Sequence, residues 1–136
     1  MKIYPKENLY YRLENNTPYL IGSKCKQCGY VAFPKKVVCP ACVTKGNMTE
    51  ILLSRTGKID TFSVLHIGPS GFATPYVVGY VILPEGPRIF SVISGCKPSE
   101  DSLEIGQEVE LTLGKIRDDE QDNEVIGYQF RPVNGD

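Results

Sequence analysis

Four cysteines, Cys25, Cys28, Cys39 and Cys42, constrain this chain more than any other feature. They form two Cys-x-x-Cys turns separated by ten residues. Each turn aims two thiolates at one point, and two turns supply the four sulfurs of a closed tetrahedral shell of the kind Zn²⁺ takes in structural sites. Iron is the second candidate, since four thiolates suit both ions. A filled shell has no position left for a water or a substrate, so the spacing predicts scaffolding and not metal catalysis. Redox-active dithiols are the alternative, but such motifs sit in a βαβ setting that this region lacks. Gly29 after the first pair suits the left-handed backbone that follows a knuckle, and Pro40 lies inside the second.

The chain of 136 residues is long enough for one domain with a core, or for a small module attached to one. Residues 1–7 contain no signal-peptide apolar region and no run reaches the length of a membrane span, so a cytoplasmic protein without membrane contact is expected. Charge is unevenly spread. Residues 1–58 carry ten Lys/Arg against three Asp/Glu, while residues 85–136 carry five against twelve. The basic half is either a solvated face or a surface turned toward an anion, such as a phosphorylated cofactor, nucleic acid or an acidic protein.

Three parts are expected along the chain: an N-terminal helical segment in 1–18, a zinc ribbon in 19–48 and a β domain in 49–136. Residues 5–16 read as a short helix: Pro5 suits a first turn, Leu9 and Leu13 lie one turn apart, and Asn15-Asn16 ends the run. Such a helix is marginal alone and must dock on its own domain or on a partner. From Ile51 onward, β-rich runs alternate with Gly/Pro turns: Lys58–Ile67, Tyr76–Leu83, Arg88–Ser94, Val109–Leu113 and Val125–Phe130. Five strands in under 80 residues fit a five-stranded antiparallel OB-fold barrel.

The remaining candidates are weaker. Cys96 and His66 are the only possible nucleophile and base of that type, and nothing in the sequence pairs them. Cys96 reads as a small buried residue and His66 as a structural histidine. No glycine-rich turn leads into a helix, so there is no phosphate loop. Asp118, Asp119, Glu120, Asp122 and Glu124 lack calcium-loop spacing and read as a solvated hairpin tip. No catalytic residue is expected. OB barrels and zinc ribbons both bind nucleic acid, with Phe72 in the loop Gly68–Pro75 as a possible stacking ring. The acidic second loop Arg117–Glu124 argues against phosphates, because basic residues gather only in the cysteine module, at Lys24, Lys26, Lys35, Lys36 and Lys45. Tyr30 and Phe33 are either interface anchors or the small core of the ribbon.

Across about residues 7–133 the chain resembles the DUF35 family, in which a rubredoxin-like zinc ribbon precedes an OB-fold. The residues that carry the resemblance are Tyr19-Leu20, Cys25–Gly29, Phe33-Pro34-Lys35-Lys36 and Cys39-Pro40-Ala41-Cys42, then Thr56-Gly57-Lys58-Ile59 and Thr74-Pro75-Tyr76-Val77-Val78. Residues 103–109 and the ending Phe130-Arg131-Pro132-Val133 continue it. The resemblance implies an accessory subunit of a thiolase-like enzyme that supports assembly and shapes or contacts the acyl-CoA site, with CoA or acyl-CoA at the interface. Members partner acetyl-CoA acyltransferases, steroid side-chain aldolases and hydratases, and a thiolase of anaerobic toluene degradation. The catalytic residues then lie in the partner, and the family motif assigns zinc ligands alone. A free-standing binder of single-stranded nucleic acid is the rival reading, and a stand-alone acyl-CoA carrier or sensor the third.

Overall fold

A computed structural model describes residues 1–5 and 7–133. It contains ten strands: β1 (Lys2–Ile3), β2 (Tyr11–Glu14), β3 (Thr17–Cys25), β4 (Val31–Ala32), β5 (Met48–Leu52), β6 (Thr56–Leu65), β7 (Tyr76–Ile82), β8 (Arg88–Ile93), β9 (Glu108–Asp118) and β10 (Glu124–Pro132). Among the described residues the one helical element is a 3₁₀ turn, Glu100–Ser102, capped by the Ser99 hydroxyl, which accepts from the Asp101 N–H.

The helix expected over residues 5–16 is therefore not formed. Its apparent stop, Asn15-Asn16, is instead a hairpin turn: φ is 51° at Asn15 and 65° at Asn16. Two consecutive left-handed residues make the primed turn whose twist matches antiparallel strands, and Asn tolerates that region better than other side-chain-bearing residues. Glu14 pairs with Thr17 and Tyr11 with Leu20 across it. Tyr11, which falls within the expected helix, is fully buried in the core. Upstream, Asn8 also adopts a left-handed φ of 64°, and its N–H donates to the Tyr11 carbonyl, turning the chain into β2.

β3 is the axis of the N-terminal half. It pairs with β2, then β5, and at Ser23 and Lys24 with β4. Strands β6, β7, β8, β10 and β9 close into a barrel, with β9 returning to β6. The order is that of an OB-fold. One pairing departs from the antiparallel expectation: β10 runs parallel to β8 and joins it at Phe130↔Ile93. β9 occupies the other edge of β10 throughout, so β1, parallel to β10 at Lys2↔Glu124 and Ile3↔Val125, shares the β8 side. β8 and β10 thus separate above their single join, and β1 fills part of the opened seam.

Alternation along β7 and β8 sends Val77, Val81, Ile89 and Ile93 inward, where they meet Ile59, Val109, Leu111 and Phe130. A bulge between Ile59 and Thr61 lets β6 coil around the barrel. Gly79 lies opposite it: a Cβ there would stand 2.5 Å from the Thr61 carbonyl oxygen, so the close approach requires glycine. Tyr11, Leu20 and Leu53 belong to the same apolar cluster as the barrel residues, so the N-terminal hairpin and the barrel share one core. Arg55 ties them further, donating from Nε to the Pro18 carbonyl and from Nη2 to the Leu111 carbonyl, each at 3.0 Å. No helix among the described residues is long and apolar enough to cross a membrane.

Candidate metal centre

β3 ends at Cys25, and the chain then folds into the first knuckle. The Gly29 N–H donates to the Cys25 carbonyl at 2.9 Å, the Cys25 N–H donates to the Tyr30 carbonyl at 2.9 Å, and Gly29 takes φ 82°. The second knuckle repeats this pattern. The Val43 N–H donates to the Cys39 carbonyl at 2.8 Å and the Cys39 N–H to the Thr44 carbonyl at 3.0 Å. Val43 stands where the first knuckle has glycine, with φ 56°. A β-branched residue in this region is strained, and its side chain is 76% exposed.

The two knuckles bring all four sulfurs within 4.8 Å of one another. Cys25 Sγ lies 3.7 Å from Cys42 Sγ, and Cys28 Sγ lies 3.5 Å from Cys39 Sγ. A tetrahedron of sulfurs at about 2.3 Å from a zinc ion has edges of about 3.8 Å, so the arrangement fits such an ion without rearrangement. Cys25 and Cys39 are buried, Cys42 is half-buried and Cys28 is exposed. The Cys42 N–H points at Cys39 Sγ from 3.5 Å, and the Thr44 hydroxyl lies 3.2 Å from Cys42 Sγ. Such contacts orient thiolates and spread their charge.

The electrostatics agree. The backbone N–H of Cys28 is the main cause that lowers the Cys25 thiol to about 6, and that of Cys42 is the main cause that lowers Cys39. Cys28 is pushed up to about 12: the Tyr30 N–H acts to lower it, but desolvation and the three neighbouring sulfurs outweigh that. Four sulfurs this close hold their charge together only around a cation. Four protein donors also complete the tetrahedral shell.

The other sequence candidates do not converge. Cys96 is half-buried against the barrel core, and desolvation raises its thiol. His66 is exposed and shares no hydrogen bond with Cys96 among the described residues. The acidic stretch is a hairpin tip joining β9 to β10, where the Asp119 carboxylate accepts from the N–H groups of Gln121 and Asn123. Its neighbour Asp118 donates its N–H to the Gly71 carbonyl and so fastens the tip to the β6–β7 loop. Of the five ribbon lysines, all exposed, Lys35 pairs with Glu50, which also binds Arg12. Tyr30 is exposed, whereas Phe33 packs between Tyr10 and Tyr128. That last contact, linking the ribbon to the barrel, was invisible from the spacing of these residues along the chain.

A four-cysteine knuckle pair set on an OB barrel defines the class: a rubredoxin-like ribbon joined to an OB-fold. Residues 16–46 match the family model described as "ChsH2, rubredoxin-like zinc ribbon domain", and residues 50–114 the one described as "ChsH2, C-terminal OB-fold domain". The chain belongs to the DUF35 family. It is 43% identical over 116 residues to a DUF35 domain-containing scaffold protein of Methanothermobacter thermautotrophicus, covering 83% of this chain and 86% of that one. It is 42% identical over 121 residues to the benzoylsuccinyl-CoA thiolase subunit BbsA of Thauera aromatica, covering 88% of this chain and 81% of the relative. Among solved structures it resembles a chain of the Ltp2-ChsH2(DUF35) aldolase, with a TM-score of 0.67, 28% identity and 85% of each chain covered.

Proposed function

We propose that this chain is a non-catalytic, zinc-binding accessory subunit of a thiolase-superfamily enzyme that acts on acyl-CoA. Cys25, Cys28, Cys39 and Cys42 hold a structural Zn²⁺, the ribbon spans residues 19–48 and the OB domain 49–136, and the assembly works in the cytoplasm. The zinc would supply no reaction chemistry; it fixes the two knuckles and the lysine-bearing surface around them. The carrying observation is a filled thiolate shell in a chain whose described residues offer no nucleophile–base pair. The BbsA and Ltp2-ChsH2 names support a thiolase or aldolase partner. Exposed Lys24, Lys26, Lys36 and Lys45, none in an ion pair among the described residues, suit the phosphates of CoA at the interface with that partner. Co-expression with a thiolase encoded in the same genome tests the reading. A stable complex is expected, with thiolase activity or solubility lost when this chain is omitted. Unchanged activity and solubility, with no complex, would refute it.

A second reading has one observation in its favour. On the outer face of β7 and β8, Tyr80 and Phe90 meet at 5.3 Å, and the Arg88 guanidinium lies 3.8 Å above the Tyr80 ring. Aromatic rings with a cation on these strands are how OB barrels stack single-stranded bases. Arg88, however, is held by Asp60 at 2.8 Å. Titration with a short oligonucleotide at two salt concentrations separates the readings, since phosphate binding weakens steeply with salt.

A further inference from the structure

The opened seam between β8 and β10 leaves a trough. Its volume is about 570 Å³, within the range of small-molecule sites. Ser91 and Val92 of β8, Ile126 and Gly127 of β10 and Phe72 of the β6–β7 loop line it. Phe72 is fixed there by its contact with Tyr76, 5.4 Å between ring centroids. Pro5 and Tyr10 of the N-terminal segment line it as well. The seam does not close across the trough, because β8 and β10 pair only at Phe130↔Ile93 and are bridged beyond it by the Tyr128 hydroxyl donating to the Phe90 carbonyl at 3.1 Å.

Of the fifteen described residues that line this trough, Arg117 alone is charged. Its guanidinium forms no ion pair among the described residues, and its one hydrogen bond, to the Asp118 carbonyl, is long at 3.5 Å. The nearby carboxylates are engaged: Asp118 with Lys115 at 2.9 Å, and Asp119 with the turn it caps, although Asp119 also feels the Arg117 charge. An apolar trough lined by one underused guanidinium has the complement of a single kind of ligand. We propose that the seam binds a small amphipathic carboxylate, its chain or ring lying on Val92 and Ile126 and its carboxylate on Arg117. The inference does not rest on the accessory-subunit reading, and it stands or falls without a thiolase present.

The test is an amide NMR titration of the full-length, zinc-loaded chain with decanoate, decan-1-ol and acetate. Decanoate should give saturable shifts at Val78, Ser91, Val92 and Gly127 with a dissociation constant below about 1 mM. Acetate should give none, and decan-1-ol should bind the same residues roughly fivefold or more weakly, for want of the charged contact. Arg117→Gln should cost decanoate roughly fivefold while leaving decan-1-ol within about twofold, and Arg117→Lys should recover most of the loss. Shifts outside the trough, equal affinity for the acid and the alcohol, no effect of Arg117→Gln, or no saturation with decanoate would each overturn the proposal.

Discussion

The ring of Phe33 meets the ring of Tyr128 edge-on, with 5.9 Å between centroids and 88° between planes. Phe33 lies in the ribbon between the knuckles and Tyr128 on the last barrel strand, so this contact sets one module against the other. Tyr10 adds a third ring against Phe33 at 6.0 Å and 67°. Edge-on aromatic pairs contribute roughly 0.5–1.5 kcal/mol beyond the area they bury. A double-mutant cycle with Phe33→Leu and Tyr128→Leu, read by urea unfolding, should return a coupling of that size; strictly additive losses would show that the rings merely adjoin.

Arg55 binds the two halves by a different means, its guanidinium shared between the Pro18 and Leu111 carbonyls. Arg55→Met keeps the apolar stem and leaves the carbonyls of half-buried Pro18 and buried Leu111 without their charged donor. The expected loss is roughly 2 kcal/mol, measured as a lowered urea midpoint with an unchanged slope.

Val43 offers a stabilising substitution. At φ 56° a valine carries a backbone penalty that glycine lacks. Val43→Gly should raise the stability of the zinc-loaded ribbon by about 1 kcal/mol, seen as slower zinc transfer to a competing chelator. If transfer quickens, the exposed valine makes a contact that outweighs its strain.

Two tyrosines predict an alkaline limit. Burial pushes Tyr11 and Tyr128 up to about 12. Below about pH 10 both are protonated whether folded or unfolded, and their contribution to stability is complete. Between about pH 10 and 12 the unfolded chain gives up protons that the folded chain keeps, so stability falls as pH rises. Tyr11→Phe should flatten that fall. It should also leave the protein as stable or up to about 1 kcal/mol more stable at pH 7, because the buried Tyr11 hydroxyl has no hydrogen-bond partner among the described residues. Thermal melts at pH 7 and pH 11 report both effects.

Removal of metal should unfold residues 19–46. Structural zinc sites of this type contribute roughly 10–16 kcal/mol of apparent binding energy, comparable to a domain's entire stability. Chelation should make this region sensitive to protease and alter the far-ultraviolet circular dichroism, and acidification should do the same as protons compete for the thiolates. A ribbon that stays protected after metal is removed would contradict the assignment.

The barrel was legible because its strands end at strong breaks: Pro84-Glu85-Gly86-Pro87 closes β7, and the polar tip 119–123 separates β9 from β10. The cysteine centre was legible because Cys-x-x-Cys turns dictate their own geometry. The N-terminal segment was not. Leu9 and Leu13 are spaced for a helix, but local spacing carries little weight in so short a piece, and the Asn15-Asn16 pair that ends a helix equally well turns a hairpin. Tertiary packing of Tyr11 against the barrel decided between them. β9 was underestimated: the expected strand ended at Leu113, whereas β10 pairs on through Gly114 and Lys115 to Asp118. The seam trough depends on where β8 and β10 part, and no local pattern records that.

The pairing of β1 with β10 also has a consequence in time. Residues 2–3 find their neighbours at 124–125, almost the whole chain away. At roughly 5–20 residues per second of synthesis, the first strand leaves the ribosome several seconds or more before its partner exists. Throughout that interval the nascent ribbon can gather its metal while the barrel seam stands unfinished. Final closure therefore waits for the last strand, and the seam takes its shape in that same late step.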